Sequence, residues 1–331
     1  MKPAISPQPS TENGSVVPAP EARVLATTHA TEPAPRRSRR KARSSVGAPW
    51  WFLVPAAALY LFVVVWPSLQ GTAFAFTDWD GLSADRNFVG LEQFRRILDD
   101  PGAFGAIGHT LLIAAGVVII QNFIGLLLAL GVNTKIKSRN MLRVALFAPA
   151  VVTPVATAYL WKFMYTPEGA LNQLLGAVGL GALQQNWLGD SDIALWAIVG
   201  VVVWQFAGYS MVIFLAALQG VPQEIIEASH MDGAGPFRRF WSIIRPELAP
   251  AITINLMLSI IGGLKLFDQV WVMTGGGPGT ATDTMSTMIY KNAFQFGDFG
   301  YGIAMALILT LFVAVLSGAQ YGLLSRQGGS K

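Results

Sequence analysis

The sequence predicts an all-α polytopic membrane protein, with about six transmembrane helices after a disordered N-terminal tail. Charged residues make up only 13% of the 331 residues, and hydrophobic residues make up 53%, whereas roughly 25% of the residues in a soluble domain are charged. Several apolar segments are also longer than the ~20 residues that a helix needs to cross a bilayer. A soluble chain of this length could not bury so many helices that are apolar on every side.

The spans are predicted where charge is scarce. Residues 194–219 and 299–325 contain no Asp, Glu, Lys or Arg, so neither segment would place a costly charge in hydrocarbon. The predicted spans are 51–70, 106–131, 141–164, 193–218, 249–273 and 300–323.

The N-terminal segment, residues 1–47, is rich in Pro, Ser, Thr and Ala, which predicts disorder. It carries eight basic and three acidic side chains, and the rest of the chain carries fifteen and sixteen. The net charge of +4 therefore originates in this segment. The basic run RRSRRKAR at 36–43 directly precedes the first span, where it suits anionic lipid headgroups rather than nucleic acid. No cleavage site follows the first apolar run, so we expect an uncleaved anchor.

Basic residues also occur in alternate loops between the spans. They lie in the second loop (Lys135, Lys137, Arg139 and Arg143), in the fourth loop (Arg238, Arg239 and Arg245) and after the last span (Arg326 and Lys331). The loop at 77–104 is mainly acidic, and the loop at 165–192 has no Lys or Arg. The positive-inside rule then predicts that both termini and the 219–248 loop are cytoplasmic.

The sequence argues against catalysis by this chain. There is no cysteine, which excludes thiolate chemistry and cysteine metal sites. His29, His109 and His230 do not form a metal-ligand spacing with one another or with nearby carboxylates. We expect His109 to make an interfacial hydrogen bond to backbone and His230 to be a solvated loop residue. A GxxxxGK[ST] phosphate loop is also absent from the sequence, so we expect no enzyme activity, metal or cofactor in this chain.

The segment 220–250, GVPQEIIEASHMDGAGPFRRFWSIIRPELAP, is the most informative part of the sequence. Pro222 suits a first helical position, and Glu224 places negative charge in the opening turn. Gly233 interrupts this helix, Pro236 can begin a second one that runs to Arg245, and Pro246 is expected to end it. Two short helices joined at a glycine would form a rigid knob that a partner could grip.

This segment resembles the EAA loop of bacterial ABC importer permeases, in which Glu-Ala-Ala, three residues, Gly, nine residues and Ile-x-Leu-Pro follow one another. The corresponding residues are Glu227-Ala228-Ser229, Gly233 and Ile243-Ile244-Arg245-Pro246. Ser229 replaces an alanine, and Arg245 puts a charge where the family has leucine. The resemblance implies an ATPase-coupling role for Glu227, Ala228, Ser229, Asp232, Gly233, Ile243 and Pro246.

The resemblance extends over roughly residues 50–325. It includes FTDWDGL (76–82), FVGLEQFRRIL (88–98), ALFAPAVVTPVATAYLWKFMY (145–165), WQFAGYSMVIFLAALQGVP (204–222) and GGLKLFDQVWVMTGGGPG (262–279). These segments are similar to carbohydrate-type permeases of maltose and glycerol-3-phosphate importers.

The resemblance implies the type I importer fold in a bacterial inner membrane. The implied partners are a second homologous permease, a dimer of ABC ATPases at the cytoplasmic face, an extracytoplasmic substrate-binding protein or lipoprotein, and the lipid bilayer, with no nucleic acid. The implied parts of the chain are a disordered basic cytoplasmic tail (1–47), a first transmembrane helix with its external loop (48–104), and a permease core (105–325) that contains the coupling loop 220–250.

Two groups of residues within the spans are candidates for the pathway or for substrate contacts. Lys265 and Asp268 lie three apart on a predicted helix, where they could pair with each other or face a water-filled pathway. We lean towards a structural pair. Gly262 and Gly263 just before them allow close helix packing or local unwinding. The second group, on the fourth span, offers aromatic, amide and hydroxyl groups suited to a sugar and consists of Trp204, Gln205, Tyr209 and Ser210.

Two other classes of function compete with an importer permease. A secondary transporter or channel would need repeated halves or several intramembrane charges for ion coupling, and the sequence has no evident repeat. A membrane-embedded enzyme or assembly factor would need a metal or acid–base cluster at bilayer depth. The features of the sequence favour the permease.

Overall fold

The computed structural model describes residues 50–134 and 137–328. The predicted tail at 1–47 lies outside them. The chain divides into a unit of residues 1–56 and a unit of residues 57–331. In the described part of the first unit, a 3₁₀ turn at Trp50–Leu53 leads into the first α-helix. The helices from α2 onwards and the candidate site belong to the second unit.

The regular structure in the described residues is helical, apart from one isolated β-bridge between Thr77 and Phe88. The α-helices in the first half of the chain are α1 (Val54–Tyr60), α2 (Trp66–Phe74), α3 (Glu92–Asp99), α4 (Pro101–Val132), α5 (Arg139–Phe147), α6 (Pro154–Met164) and α7 (Ala170–Ala177). A π turn at Leu61–Val65 separates α1 from α2, a 3₁₀ turn at Ala148–Val151 follows α5, and another at Gly181–Leu183 follows α7.

The described residues in the second half of the chain also form helices. Its α-helices are α8 (Ala194–Gly220), α9 (Gln223–Met231), α10 (Pro236–Arg239), α11 (Arg245–Glu247), α12 (Ala249–Leu264), α13 (Asp268–Met273), α14 (Met285–Tyr290) and α15 (Phe299–Gly328). Two π turns, Phe240–Ile244 and Lys291–Gln295, follow α10 and α14.

Among the described residues, four helices are long and apolar enough to cross a membrane: Trp51–Phe74, Pro101–Val132, Ala194–Gly220 and Phe299–Leu323. They coincide with the first, second, fourth and sixth predicted spans. Two further pairs of helices are bent, Arg139–Val151 with Pro154–Met164 by 97° and Pro236–Glu247 with Ala249–Leu264 by 72°. The predicted six spans are reached when each bent pair counts as one span. The sequence therefore predicts the number of spans but not the bends.

Local chemistry explains where two of these helices begin. The second span starts at Pro101, earlier than the predicted residue 106, because the side chain of Asp100 accepts a hydrogen bond from the backbone N–H of Gly102 (2.8 Å). This contact caps the helix, and Pro101 at the first position lacks only an N–H that would have no helical partner. In the bent third span, Thr153 caps α6 in the same manner, ahead of Pro154.

The core of the second unit is built around α4 and α8, which pack along much of their length. Ile113 and Val117 on α4 and Ile198 on α8 belong to one buried cluster, which also includes Val270 of α13. Gly208 allows the C-terminal end of α5 to approach α8 closely, since a Cβ at this position would overlap the backbone carbonyl of Leu146. This pairing forms the frame on which the bent spans are held.

The adjacent glycines of α12, Gly262 and Gly263, have different surroundings. A Cβ on Gly263 would lie 2.8 Å from the Cα of Ala114 on α4, whereas a Cβ on Gly262 would meet no atom within 4 Å. Gly263 therefore provides the close helix packing expected from the sequence, and Gly262 borders open space.

This difference makes a matched test possible. Gly263→Ala should destabilise the protein by about 1–3 kcal/mol, because the new methyl group overpacks the α4–α12 contact. Gly262→Ala should leave stability unchanged or raise it by about 0.5–1 kcal/mol, because alanine is the better helix former. Thermal unfolding of the purified variants measures both effects. Equal melting temperatures for the two variants would contradict this account of α12.

Candidate functional site

The predicted fifth span does not continue as a single helix through Lys265 and Asp268. Helix α12 ends at Leu264, and α13 begins at Asp268 after a break of three residues. The expected pairing of the two charges along one helix face is therefore wrong. In the described part of the chain, the ion pairs join Arg95 to Asp99, Arg96 to Asp298 and Lys291 to Asp283. The tandem glycines before the break weaken the helix by about 1 kcal/mol each, which favours its ending there.

The break opens onto a cavity of about 450 Å³ between α4, α8, α12 and α13. Lys265 and Asp268 both line it, and their role in a pathway stays a prediction. The cavity wall also contains the aromatic rings of Phe206, Tyr209 and Phe267. Its other polar residues are Gln121, Asn255, Ser259 and Gln269.

The candidate residues on the fourth span are divided among different surroundings. Tyr209 lines the cavity, and its side chain is partly exposed. Trp204 lies in a separate apolar groove bordered by α4 and α5, and packs edge-on against Trp161 with ring centroids 5.3 Å apart. Gln205 and Ser210 are fully buried. Helical geometry explains why Trp204 and Tyr209 are separated. Residues five apart differ by about 140° around a helix, so these two side chains cannot form one strip.

Hydrogen bonds account for the two buried members of this group. Gln205 Nε2 donates to the carbonyl of Val152 at the bend of the third span (2.9 Å). The hydroxyl of Ser210 accepts from Gln121 Nε2 (2.8 Å). Neither Gln205 nor Ser210 lines the cavity as a direct contact, and both instead hold neighbouring elements in place.

Sequence reasoning missed four polar residues of the cavity: Gln121, Asn255, Ser259 and Gln269. A signal was available, because amides and hydroxyls within charge-free spans usually face the interior of a bundle. Asn255 and Ser259 are also one helical turn apart, and Ser259 Oγ donates to the backbone carbonyl of Asn255 (2.8 Å). What the sequence could not supply was the neighbour of each group across the helix interfaces.

The segment 220–250 forms two short helices, as predicted, with modified boundaries. The first helix starts at Gln223, with Pro222 as its N-cap, and ends at Met231. Gly233 then has φ +71°, a left-handed conformation that favours glycine. The expectation that Pro246 ends the second helix is wrong, because Pro246 lies within α11. The preceding π turn lets Arg245 donate to the carbonyl of Phe240, five residues back, and this wider turn carries the helix through the proline.

Both departures from the EAA pattern have a structural basis. The side chain of Ser229 is buried, and its hydroxyl donates to the carbonyl of Ile226 (2.6 Å), so it leaves no unsatisfied group. The guanidinium of Arg245 stacks over the ring of Trp241 at 5.1 Å, which keeps the charge at the surface. Arg239 Nη1 contacts His230 Nδ1 (3.1 Å) and links the two helices. His230 is therefore exposed, as expected, and also has a side-chain partner in Arg239.

The N-terminal part of the second span is tied to the loop that follows α13. His109 Nδ1 lies 3.0 Å from the backbone carbonyl of Asp283, which confirms the expected hydrogen bond to backbone. The carboxylate of Asp283 in turn accepts from Lys291 Nζ at 2.7 and 2.9 Å. This largely buried ion pair joins the loop after α13 to the π turn that follows α14.

The loop between α2 and α3 is ordered by two aspartates. Hydrogen bonds from the side chain and backbone of Asn87 lower the pKa of Asp78. Backbone N–H groups of Ser83 and Leu82 lower the pKa of Asp80. Both contacts favour the ionised carboxylate. Their contribution to loop order is therefore present at neutral pH and is lost only as the pH falls through the lowered pKa values.

A multi-pass helical protein with a polar cavity among its spans and a two-helix loop beside them has the features of a transport protein. The chain belongs to the family of inner membrane components of binding-protein-dependent transport systems, which matches residues 121–328. The predicted permease resemblance and fold class are thereby confirmed.

Individual relatives of the chain are also permease proteins of transport systems. The permease protein of the multiple sugar-binding transport system of Streptococcus mutans is 32% identical over 268 residues, which cover 81% of this chain and 92% of the relative. The permease protein of the trehalose/maltose transport system of Thermococcus litoralis is 33% identical over 272 residues, which cover 80% and 88%.

The fold is also similar to a solved structure. A bacterial ABC transporter involved in the import of the acidic polysaccharide alginate matches with a TM-score of 0.74 and 20% identity over 85% of this chain and 96% of that chain. At this identity the likeness concerns the fold, which is that of an ABC importer permease.

The arrangement of Lys265 and Asp268 leads to a prediction. Because the two groups face the cavity without pairing, Lys265→Met and Asp268→Asn should each lower uptake by the complete transporter roughly tenfold. The double variant should not recover the loss, and all three variants should assemble normally. Uptake and co-purification of the other subunits are measured in parallel. Recovery of uptake in the double variant would instead reveal a direct pair.

Two glycines of the segment 220–250 allow a controlled test of its shape. Gly233→Pro should abolish co-purification of the ATPase and transport, because proline cannot adopt φ +71° and would remove the hydrogen bond from Gly233 N to the His230 carbonyl. Gly235→Pro is the matched control, since Gly235 has φ −63° and ψ 165°, which proline tolerates. Normal ATPase co-purification with Gly233→Pro would rule out a coupling role for this turn.

Proposed function

We propose that the chain is the transmembrane permease subunit of an ATP-driven importer for a sugar or related carbohydrate, and that it forms half of the translocation pathway. The observation that carries this proposal is the cavity at the break of the fifth span. Its wall combines the rings of Phe206, Tyr209 and Phe267 with amide and hydroxyl groups. Rings can stack on the C–H face of a sugar, and amides and hydroxyls can bond its hydroxyl groups. The sugar systems named for the two relatives support the same substrate class.

In this proposal, a partner protein supplies the energy for transport. A dimer of ABC ATPases binds the segment 220–250 at the cytoplasmic face, with Glu227, Ala228, Ser229, Asp232, Gly233, Ile243 and Pro246 as the coupling residues. The chain itself carries out no catalytic step. Basic residues in the same loop, together with the basic run at 36–43, support cytoplasmic termini in a bacterial inner membrane by the positive-inside rule.

Two further partners complete the assembly. The family is defined by dependence on a binding protein, and we assign that protein to the extracytoplasmic face, where it delivers the substrate. A second homologous permease supplies the other half of the pathway. Helix α2 supports this assignment, because it buries none of its residues within this chain, and an apolar surface of this kind requires lipid or another subunit.

This proposal predicts what the isolated chain will do. Expressed alone, it should show no ATP hydrolysis and no accumulation of maltose or trehalose in vesicles. Uptake of the transported sugar should appear when the second permease, the ATPase and the binding protein are added. The decisive measurement is ligand identification on the purified binding protein, followed by uptake of that ligand. Ion-gradient-driven uptake by vesicles that contain this chain alone would favour a secondary transporter.

A further inference from the structure

A line of buried hydrogen bonds connects the bend of the third span to the cavity. Gln205 Nε2 donates to the carbonyl of Val152 (2.9 Å), and Gln269 Nε2 donates to Gln205 Oε1 (3.1 Å). Gln205 is fully buried, and Gln269 is 2% exposed and lines the cavity. We call these three groups, the Val152 carbonyl and the side chains of Gln205 and Gln269, the amide relay.

The direction of the relay is fixed by chemistry. A backbone carbonyl can only accept a hydrogen bond, so Gln205 must turn its NH₂ group towards Val152. Its oxygen then faces Gln269, which must in turn present its own NH₂ group. Rotating either amide by 180° would oppose two acceptors or two donors. The oxygen of Gln269 is therefore left as an acceptor that this relay does not use, on a residue that lines the cavity.

A second cavity residue is oriented in the same way. Asn255 Nδ2 donates to the backbone carbonyl of Ser210 (3.1 Å), so its nitrogen is also held by an obligatory acceptor. In the described part of the chain, no donor reaches the side-chain oxygen of Asn255 or of Gln269. Two amides on different helices thus offer acceptor oxygens to the same cavity.

We propose that Gln205 is a positioning residue that determines substrate specificity. It holds Gln269 with its oxygen towards the cavity, where that oxygen accepts a hydrogen bond from a substrate hydroxyl. An acceptor held in this way favours ligands rich in hydroxyl donors and disfavours ligands that present only acceptors, because two facing acceptors are left unpaired. This inference rests on the proposed carbohydrate function and assigns to Gln205 an indirect role in place of the direct contact expected from the sequence.

The first test measures the bond between the two side chains without any substrate. Gln205→Met, Gln269→Met and the double variant are prepared in the complete transporter, since methionine keeps the side-chain length but makes no amide hydrogen bond. Melting temperatures are compared in a double-mutant cycle. The double variant should lose less than the sum of the two single losses. Additive losses would overturn the relay.

The second test measures specificity with radiolabelled maltose and trehalose as probes. Gln205→Met and Gln269→Met should each raise KM by roughly threefold to tenfold, the effect of one lost hydrogen bond. The maximal rate should change little, and the double variant should be no worse than either single one. The two effects should be equal because Gln269 loses its fixed orientation once Gln205 is gone.

A third glutamine serves as the matched control for a purely structural bond. Gln320 Nε2 donates to the backbone carbonyl of Thr253 (3.1 Å) and joins α15 to α12. Gln320→Met should lower the melting temperature and leave KM unchanged. If Gln205→Met behaves like Gln320→Met while Gln269→Met raises KM, Gln205 has no positioning role.

Failure of the proposed function and failure of the specificity role of Gln205 give different experimental results. If the unmodified transporter carries neither maltose nor trehalose and its binding protein holds no carbohydrate, the proposed function is wrong, and the specificity role of Gln205 is wrong with it. If a sugar is carried and neither methionine variant changes KM, the proposed function stands and the relay has no part in recognition.

Discussion

The structure depends on one constraint, which is that a polar group at bilayer depth must find its partner inside the protein. A straight apolar helix meets this requirement with its own backbone bonds. Where a span bends or breaks, carbonyls and amides are released and must be paired by neighbours. The carbonyl of Val152 is released at the bend of the third span and is paired by Gln205. Beside the break after α12, the side chain of Gln269 donates a hydrogen bond to the side-chain oxygen of the same Gln205.

This constraint also explains why the cavity lies where it does. Irregular backbone within a membrane is tolerated only where protein or a water-filled cavity surrounds it. At the break, Leu266 belongs to the buried cluster that α4 and α8 form, and Lys265, Leu266 and Phe267 line the cavity. The polar side chains that stabilise the interrupted helices are therefore the same ones that can meet a hydrophilic substrate. Stability and recognition share these residues, which is why Gln205 can affect both.

The segment 220–250 is connected directly to this region. Its second helix passes through Pro246 by way of a π turn and meets α12 at a bend of 72°. Helix α12 then runs to Leu264, at the edge of the cavity break. A displacement of the two-helix loop would therefore pass through this bend to α12, and along α12 to the cavity. This arrangement provides a physical path by which events at the cytoplasmic face in the proposed topology could alter substrate binding.

The membrane class, the positions of the spans and the two-helix loop could be predicted from the sequence, because apolar length, charge placement and the spacing of Gly and Pro are local properties. The interruption of the helix at Gly233 and the backbone bond of His109 also followed from local reasoning. Which polar groups meet depends on the packing of the helices, which separates Lys265 from Asp268, buries Gln205 and Ser210, and brings Gln121, Asn255 and Gln269 to one cavity. Those outcomes depend on the bends and on neighbours more than forty residues away in sequence, and a periodic pattern along one helix carries no information about the face of another.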